Sequence, residues 1–169
     1  MKIFVINLKS DFKKRETMTD ILNKYTSDYI FFEAINGKEL KDDEYRINLN
    51  WMNPYDNTHT TYGEVGCALS HYSLWKKMID ENIEQALILE DDVVIKNPDF
   101  ISIIDNIPTD AYDLIYLGRK KMSGIKEEQV QLESAKNLLV KPTFSYWTCA
   151  YILTLSGAKK LCTTDYLNN

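Results

Sequence analysis

The sequence predicts a single α/β domain with a mainly parallel central sheet flanked by helices. Compact apolar runs of strand length recur along the chain and alternate with segments whose apolar residues return at helical spacing. The length, 169 residues, suits one domain with a real core, although it is small for an enzyme that must hold two large substrates. A composition of 44% hydrophobic and 27% charged residues belongs to a folded chain rather than a disordered one.

KIFVINL (2–8) is an apolar run and the first predicted strand, and SDFKKRETMTDILNKY (10–25) follows with Phe12, Met18, Ile21, Leu22 and Tyr25 near a helical stripe. YIFFEAING (29–37) predicts a second strand closed by Asn36-Gly37, a turn signal in which Gly supplies a positive φ. Residues 38–60 lose this grammar and read as a long irregular loop around one short helix, with Asn53-Pro54 inside it. The clearest helix is TYGEVGCALSHYSLWKKMIDEN (61–82): Thr61 and Glu64 form a capping box, and Val65, Ala68, Leu69, Tyr72, Trp75 and Ile79 recur at helical spacing. ALILEDDVVI (86–95) predicts a buried strand, DFISIIDNI (99–107) a short helix, and YDLIYLG (112–118) a strand ended by Gly118. After a charged loop (119–136), YWTCAYILTL (146–155) reads as a late strand and GAKKLC (157–162) as a last helix capped by Ser156.

The net charge of −5 argues against nucleic-acid binding, which draws its affinity from basic surfaces, and Arg119-Lys120-Lys121 reads as a solvated loop face. Cys67, Cys149 and Cys162 are odd in number, lack CxxC spacing and lie in apolar-rich segments, which suggests a reducing compartment, the cytoplasm. The N-terminal apolar stretch is too short for a secretory signal and has no small-residue cleavage site. No transmembrane segment is expected either, so work at a membrane would be peripheral.

ALILEDDVVI raises the main functional question, because Glu90, Asp91 and Asp92 repel one another unless a positive group sits among them. Carboxylates at the end of a rigid strand suit Mg²⁺ or Mn²⁺, with water and a substrate diphosphate completing the shell. On a strand, Glu90 and Asp92 point to one side and can share an ion, while Asp91 faces away toward a hydroxyl or backbone group; a turn at Asp91 would shift that partition by one residue. The structural alternative is a capped turn or a pair with Lys96. An apolar strand ending in Glu-Asp-Asp also opens phosphorylated receiver domains, but the phosphoacceptor position here is Gly118, and the interval from Asp92 is too short for that fold.

Six pieces in order, VINLKSDFKKR (5–15), FEAINGKEL (32–40), GEVGCALSHYSLW (63–75), ALILEDDVVI (86–95), DLIYLG (113–118) and YWTCAYILTLSGAKKL (146–161), make the chain resemble glycosyltransferase family 25. That group includes lipooligosaccharide and procollagen galactosyltransferases. The resemblance implies one GT-A-type domain over 1–169, truncated at its C-terminal end relative to longer relatives. It also implies transfer of a hexose, commonly galactose from UDP-galactose, to a hydroxyl of a surface glycan or protein acceptor. Glu90 and Asp92 then become ligands of Mn²⁺ or Mg²⁺, standing where such enzymes carry a D-x-D-type motif, and the ion is the positive partner. Asn7, Arg15, Glu33, Asn36, Gly37, Ser70, His71 and Asp91 become contacts of the nucleotide-sugar donor, and Asp165 the candidate base.

Each carry-over has a plainer counterpart. Arg15 suits a helix surface, Asn36-Gly37 a capped turn, Glu64 a helix cap, and a lone helical His71 ordinary packing. Trp51, Trp75 and Trp147 can stack on a sugar, yet Trp75 continues an apolar stripe. Trp147-Thr148-Cys149-Ala150-Tyr151 stands where members often show Gly-Thr-x-Ala-Tyr, which alters the acceptor side. A module that binds a nucleotide sugar or acceptor without turnover, and a purely structural domain, are the competing classes.

Overall fold

The computed structural model describes residues 1–40, 60–107, 111–120, 128–130, 139–141 and 146–163. Among them β1 (Lys2–Asn7), β2 (Ile30–Glu33), β3 (Gln85–Glu90), β4 (Leu114–Lys120) and β7 (Tyr146–Thr154) form one sheet in the order β2-β1-β3-β7-β4, while β5 (Glu128–Val130) and β6 (Leu139–Lys141) pair separately. β1 lies parallel to β2 and β3, but β7 runs antiparallel to both β3 and β4.

The sheet is therefore mixed, and the expectation of a mainly parallel one is corrected. A parallel return needs a long crossover, usually helical. The described residues between β4 and β7 instead hold the antiparallel β5–β6 pair. With β7 reversed, its first residues join the carboxyl ends of β1, β2, β3 and β4 along one edge of the sheet.

Strand alternation divides the core in two. Phe4, Ile6, Ala86, Ile88, Tyr151 and Leu153 face helices α2 (Tyr62–Asp80) and α4 (Leu155–Thr163), packing on Leu74, Met78 and Ala158. Ile3, Val5, Leu87, Leu89, Ile115 and Ile152 face α1 (Phe12–Leu22) and α3 (Phe100–Asp105), packing on Met18, Leu22 and Ile104. Each such side chain removed from water contributes about 1.5–3 kcal/mol, which makes this two-faced burial the main stabilising term.

Local signals account for most helix boundaries. Asp11 starts α1 by accepting the Lys14 backbone N–H at 3.1 Å. Phe12 is 74% exposed and leaves the expected stripe, because six residues of helix turn it roughly 120° away from Met18. The Thr61–Glu64 capping box is formed in both directions, at 3.2 and 2.7 Å. The last helix begins at Leu155, and Thr154 rather than Ser156 caps it, accepting the Gly157 N–H at 3.1 Å.

Gly37 opens a 3-10 turn (Gly37–Glu39) without a left-handed φ, so its expected role as a positive-φ turn residue is not the one it plays. Close approach is the reason instead. A Cβ on Gly37 would fall 1.7 Å from the Tyr62 carbonyl oxygen, and one on Gly66 would fall 2.6 Å from the Gly37 nitrogen. The pair of glycines lets the chain leaving β2 lie directly on the first turn of α2. β4 also runs past its expected end at Gly118, with its register against β7 slipping on either side of that residue.

Candidate active site

β3 stops at Glu90, and the chain turns at Asp91 and Asp92, so the strand is five residues shorter at this end than the 86–95 pattern suggests. The turn separates the three carboxylates. Glu90 continues the alternation of Ala86 and Ile88 and so falls on the α2 face, while Asp91 reaches toward α1. Asp92 is left with a side chain 61% exposed.

On the α2 face a chain of hydrogen bonds runs from the core to Glu90. The Trp75 Nε1–H donates to the Tyr151 hydroxyl at 2.9 Å, and that hydroxyl bonds His71 Nδ1 at 2.8 Å. His71 Nε2 lies 3.2 Å from Glu90 Oε1, which also accepts the Thr148 hydroxyl at 3.0 Å. An indole can only donate, so the Tyr151 proton is free to go to Nδ1. That choice makes Nδ1 an acceptor and leaves the proton on Nε2, pointed at Glu90.

The middle of the chain is buried, with Tyr151 1% and His71 3% exposed, while Trp75 at one end and Glu90 at the other are half-buried. The His71 hydrogen bond holds the Glu90 carboxyl below its usual range against the opposing effect of burial, with Thr148 and Lys14 adding to it. Burial drives the Tyr151 hydroxyl far above its ordinary value, so it acts as a neutral relay of hydrogen bonds.

On the α1 face the positive partner of the acids is Lys14. Its ammonium lies 2.8 Å from Asp91 Oδ1 and 3.6 Å from Asp92 Oδ2, and the Asp91 hydrogen bond raises its pKa. Asn7, buried at the end of β1, donates through Nδ2 to Asp91 Oδ2 at 2.8 Å and to the Asp11 carbonyl at 3.3 Å. Its Oδ1 is buried without a hydrogen-bond partner, a cost of about 1–3 kcal/mol for a group so placed.

Between the two faces opens a cleft of about 900 Å³. Cys67, Glu90, Asp92 and Thr148 supply polar groups to its wall, and the segment after Asp92 together with Phe100 and Leu117 supplies an apolar flank. Glu90 and Asp92 thus open on the same space, as hard-cation binding to two carboxylates, water and phosphate requires. The donor set fits Mn²⁺ or Mg²⁺. Another set at the same place is softer: Cys67, His71 and Glu90 bring one ligand atom each within 4.8 Å of one another.

The remaining expected residues are dispersed. Ser70 is buried, accepting the Ile35 N–H at 2.8 Å and donating to the Gly66 carbonyl at 2.6 Å, so it ties the β2 exit to α2. Arg15 lies on the Phe31 ring, 4.2 Å from its centroid. Glu33 is exposed beside Lys9 at 4.0 Å. Asn36 caps its own turn, bonding the Lys38 N–H and Glu39, and Gly37 is buried against α2. Glu64 is the helix cap. Asp165, Trp51 and the 38–60 loop beyond residue 40 and before residue 60 lie outside the described residues.

The structure brings together Asn7 with Asp91, and His71 with Glu90. Lys14 was not singled out from sequence, and Thr148 and Tyr151 entered only as part of the late-strand pattern, with no role at the site. A tyrosine set between Ala150 and Ile152 in the apolar half of the strand was the available sign of Tyr151, since its hydroxyl must find a partner when buried. Thr148 lies within the β4–β7 register slip, which no local pattern announces.

Comparison with known proteins places the chain in a family. The family model for glycosyltransferase family 25 (LPS biosynthesis protein) matches residues 1–167. Procollagen galactosyltransferase 2 of Homo sapiens is 37% identical over 170 residues, which cover 95% of this chain and 27% of the relative. A glycosyltransferase 25 family member of Aedes aegypti is 37% identical over 169 residues, covering 94% and 27%. Procollagen galactosyltransferase 1-A of Xenopus laevis is 34% identical over 176 residues, covering 98% and 28%. The chain thus spans little more than a quarter of the length of these relatives. It belongs to glycosyltransferase family 25.

Proposed function

We propose that the chain is a metal-dependent hexosyltransferase of GT-A type. It would move galactose from UDP-galactose to a hydroxyl of a surface glycan or protein acceptor. The observation that carries this reading is the cleft at the carboxyl edge of the strands, into which Glu90 and Asp92 both open. Family membership and the procollagen galactosyltransferase relatives support the reaction class and the sugar.

In this reading Glu90 and Asp92 hold Mn²⁺ or Mg²⁺, which when bound supplies Lewis acidity at the leaving diphosphate. His71 and Thr148 keep Glu90 ionised and oriented. Asn7 and Lys14 hold Asp91 away from the ion, leaving the ammonium near Asp92 to meet phosphate oxygens. Arg15, Glu33, Asn36, Gly37 and Ser70 shape or contact the donor side through the β2 exit. Asp165 is the carboxylate assigned to take the acceptor's proton. Three free thiols accord with a reducing compartment, the cytoplasm. Among the described residues no helix is long and apolar enough to cross a membrane.

Thermal stability measured with UDP-galactose tests this, with and without Mn²⁺, on the chain and on Asp92→Ala. The reading requires a nucleotide-dependent rise in Tm that needs the ion and disappears in the variant. A rise indifferent to both would overturn the metal assignment.

Lys14 favours a second reading, because its ammonium already offsets part of the charge an ion would neutralise. A binding module without turnover would shift in Tm with UDP-galactose yet release no galactose from it.

A further inference from the structure

Cys67 and His71 stand one helical turn apart on α2, and the end of β3 brings Glu90 to the same place. We propose that Cys67, His71 and Glu90 form a second metal site, selective for a thiophilic divalent ion such as Zn²⁺, that shares Glu90 with the donor site. Among the described residues no other three His, Cys, Asp or Glu side chains converge in this way.

The geometry is close to what such an ion needs. Tetrahedral zinc with bonds of about 2.0–2.3 Å sets its ligands about 3.3–3.7 Å apart. His71 Nε2 and Glu90 Oε1 are 3.2 Å apart already. With all three atoms inside 4.8 Å, Cys67 Sγ has at most about 1.5 Å to close, within reach of a χ1 adjustment. Cys67 and Glu90 both line the cleft, so a fourth position is open to water or to the Thr148 hydroxyl, which lies 3.2 Å from Nε2.

The surroundings also suit a ligating histidine. Metal-bound imidazoles are anchored through their other nitrogen, and here Nδ1 already bonds the Tyr151 hydroxyl, itself held by Trp75. Binding at Nε2 moves the ring proton to Nδ1, from where it donates to the Tyr151 oxygen while the phenol proton turns away. The thiol loses its proton to solvent as the Cys67 sulfur–metal bond forms; Glu90 has none to lose. Sulfur and imidazole ligands select Zn²⁺ or Co²⁺ over Mg²⁺.

The consequence goes beyond the transferase reading. An ion held by Cys67 and His71 engages Glu90, so thiophilic and oxygen-ligated ions compete for that carboxylate, and zinc acts as an inhibitor of donor binding.

Titration of the chain with Co²⁺, without nucleotide and in a phosphine reductant, tests the site. The expected result is a thiolate-to-Co(II) charge-transfer band that saturates at one ion per chain and is displaced by Zn²⁺ but not by Mg²⁺. Cys67→Ser, with an unchanged circular dichroism spectrum, loses the band; Tyr151→Phe keeps it with affinity lowered about 10-fold or more. Cys149→Ser and Cys162→Ser leave it intact. Absence of the band, its survival in Cys67→Ser, or its loss in Cys149→Ser overturns the proposal. Because no nucleotide is present, these outcomes are independent of whether UDP-galactose binds.

Discussion

Replacing Tyr151 by Phe removes one oxygen and leaves two donors or acceptors without their partner. The Trp75 Nε1–H loses its acceptor at 2.9 Å, and His71 Nδ1 loses its donor at 2.8 Å. An orphaned buried polar group costs about 1–3 kcal/mol. His71 is 3% exposed and should bear the full cost, whereas Trp75 is only partly buried and can recover some of it from water. The sum is about 2–4 kcal/mol, large for a single oxygen because the ring still fills its place in the core. With a urea slope of about 2 kcal/mol per molar, the unfolding midpoint falls by about 1–2 M.

A second readout separates this network from ordinary packing. His71, no longer held at Nδ1, can rotate or change tautomer, and the Glu90 carboxyl loses the main influence that lowers its pKa. Carboxyl carbon NMR of Glu90 should then show titration moving up in the variant. A midpoint within about 0.3 M of the parent, or an unmoved Glu90 titration, would refute the reasoning that Tyr151 orders this chain of bonds.

Three further outcomes follow from the same contacts. The folded pKa of Glu90 lies below its unfolded value of about 4.3, so its stabilisation is complete above that pH and is lost as pH falls through the folded value; Glu90→Gln should flatten this part of the acid limb in denaturation measured from neutral to acid pH. Gly66→Ala places a Cβ 2.6 Å from one backbone nitrogen and 2.7 Å from a backbone oxygen, atoms that cannot yield without moving the β2 exit; a loss of about 2–3 kcal/mol is expected by urea unfolding, against a small gain if the helix were free. Lys14→Met should lower stability at neutral pH by about 1 kcal/mol or less, because the lysine side chain is 44% exposed and solvent screens the pair; the difference should shrink when the denaturation is repeated in high salt.

Much of the site's location was legible locally. The apolar run ALILE, broken by two further acids, marks a buried strand that ends in charge, and the Thr61–Glu64 box marks where α2 begins. Period-2 alternation also explains, after the fact, why Glu90 meets α2 while Asp91 meets α1. The partners themselves were not legible: Lys14 is 77 residues from Asp91, Thr148 is 58 from Glu90, and Tyr151 is 80 from His71. Nothing in the neighbourhood of Asp92 says that the compensating cation comes from the first helix rather than from the nearby Lys96. Where the ladder ends, the Asp91 side chain is likewise held by residues distant in sequence, Asn7 and Lys14.

By itself the sequence determined the main helices and the cores of the five sheet strands, which of their faces are apolar, and that three carboxylates follow one another at a strand's end, though not where β3 and β4 stop or that β5 forms in the charged 119–136 segment. These properties depend on side-chain periodicity and on caps within a few residues. Only the tertiary structure decided that β7 runs against its neighbours. A buried strand has the same two-residue period in either direction, and its orientation depends on how the chain returns to the sheet. That reversal brings Thr148 and Tyr151 to Glu90 and His71, and so turns an acidic strand end into an ordered polar site.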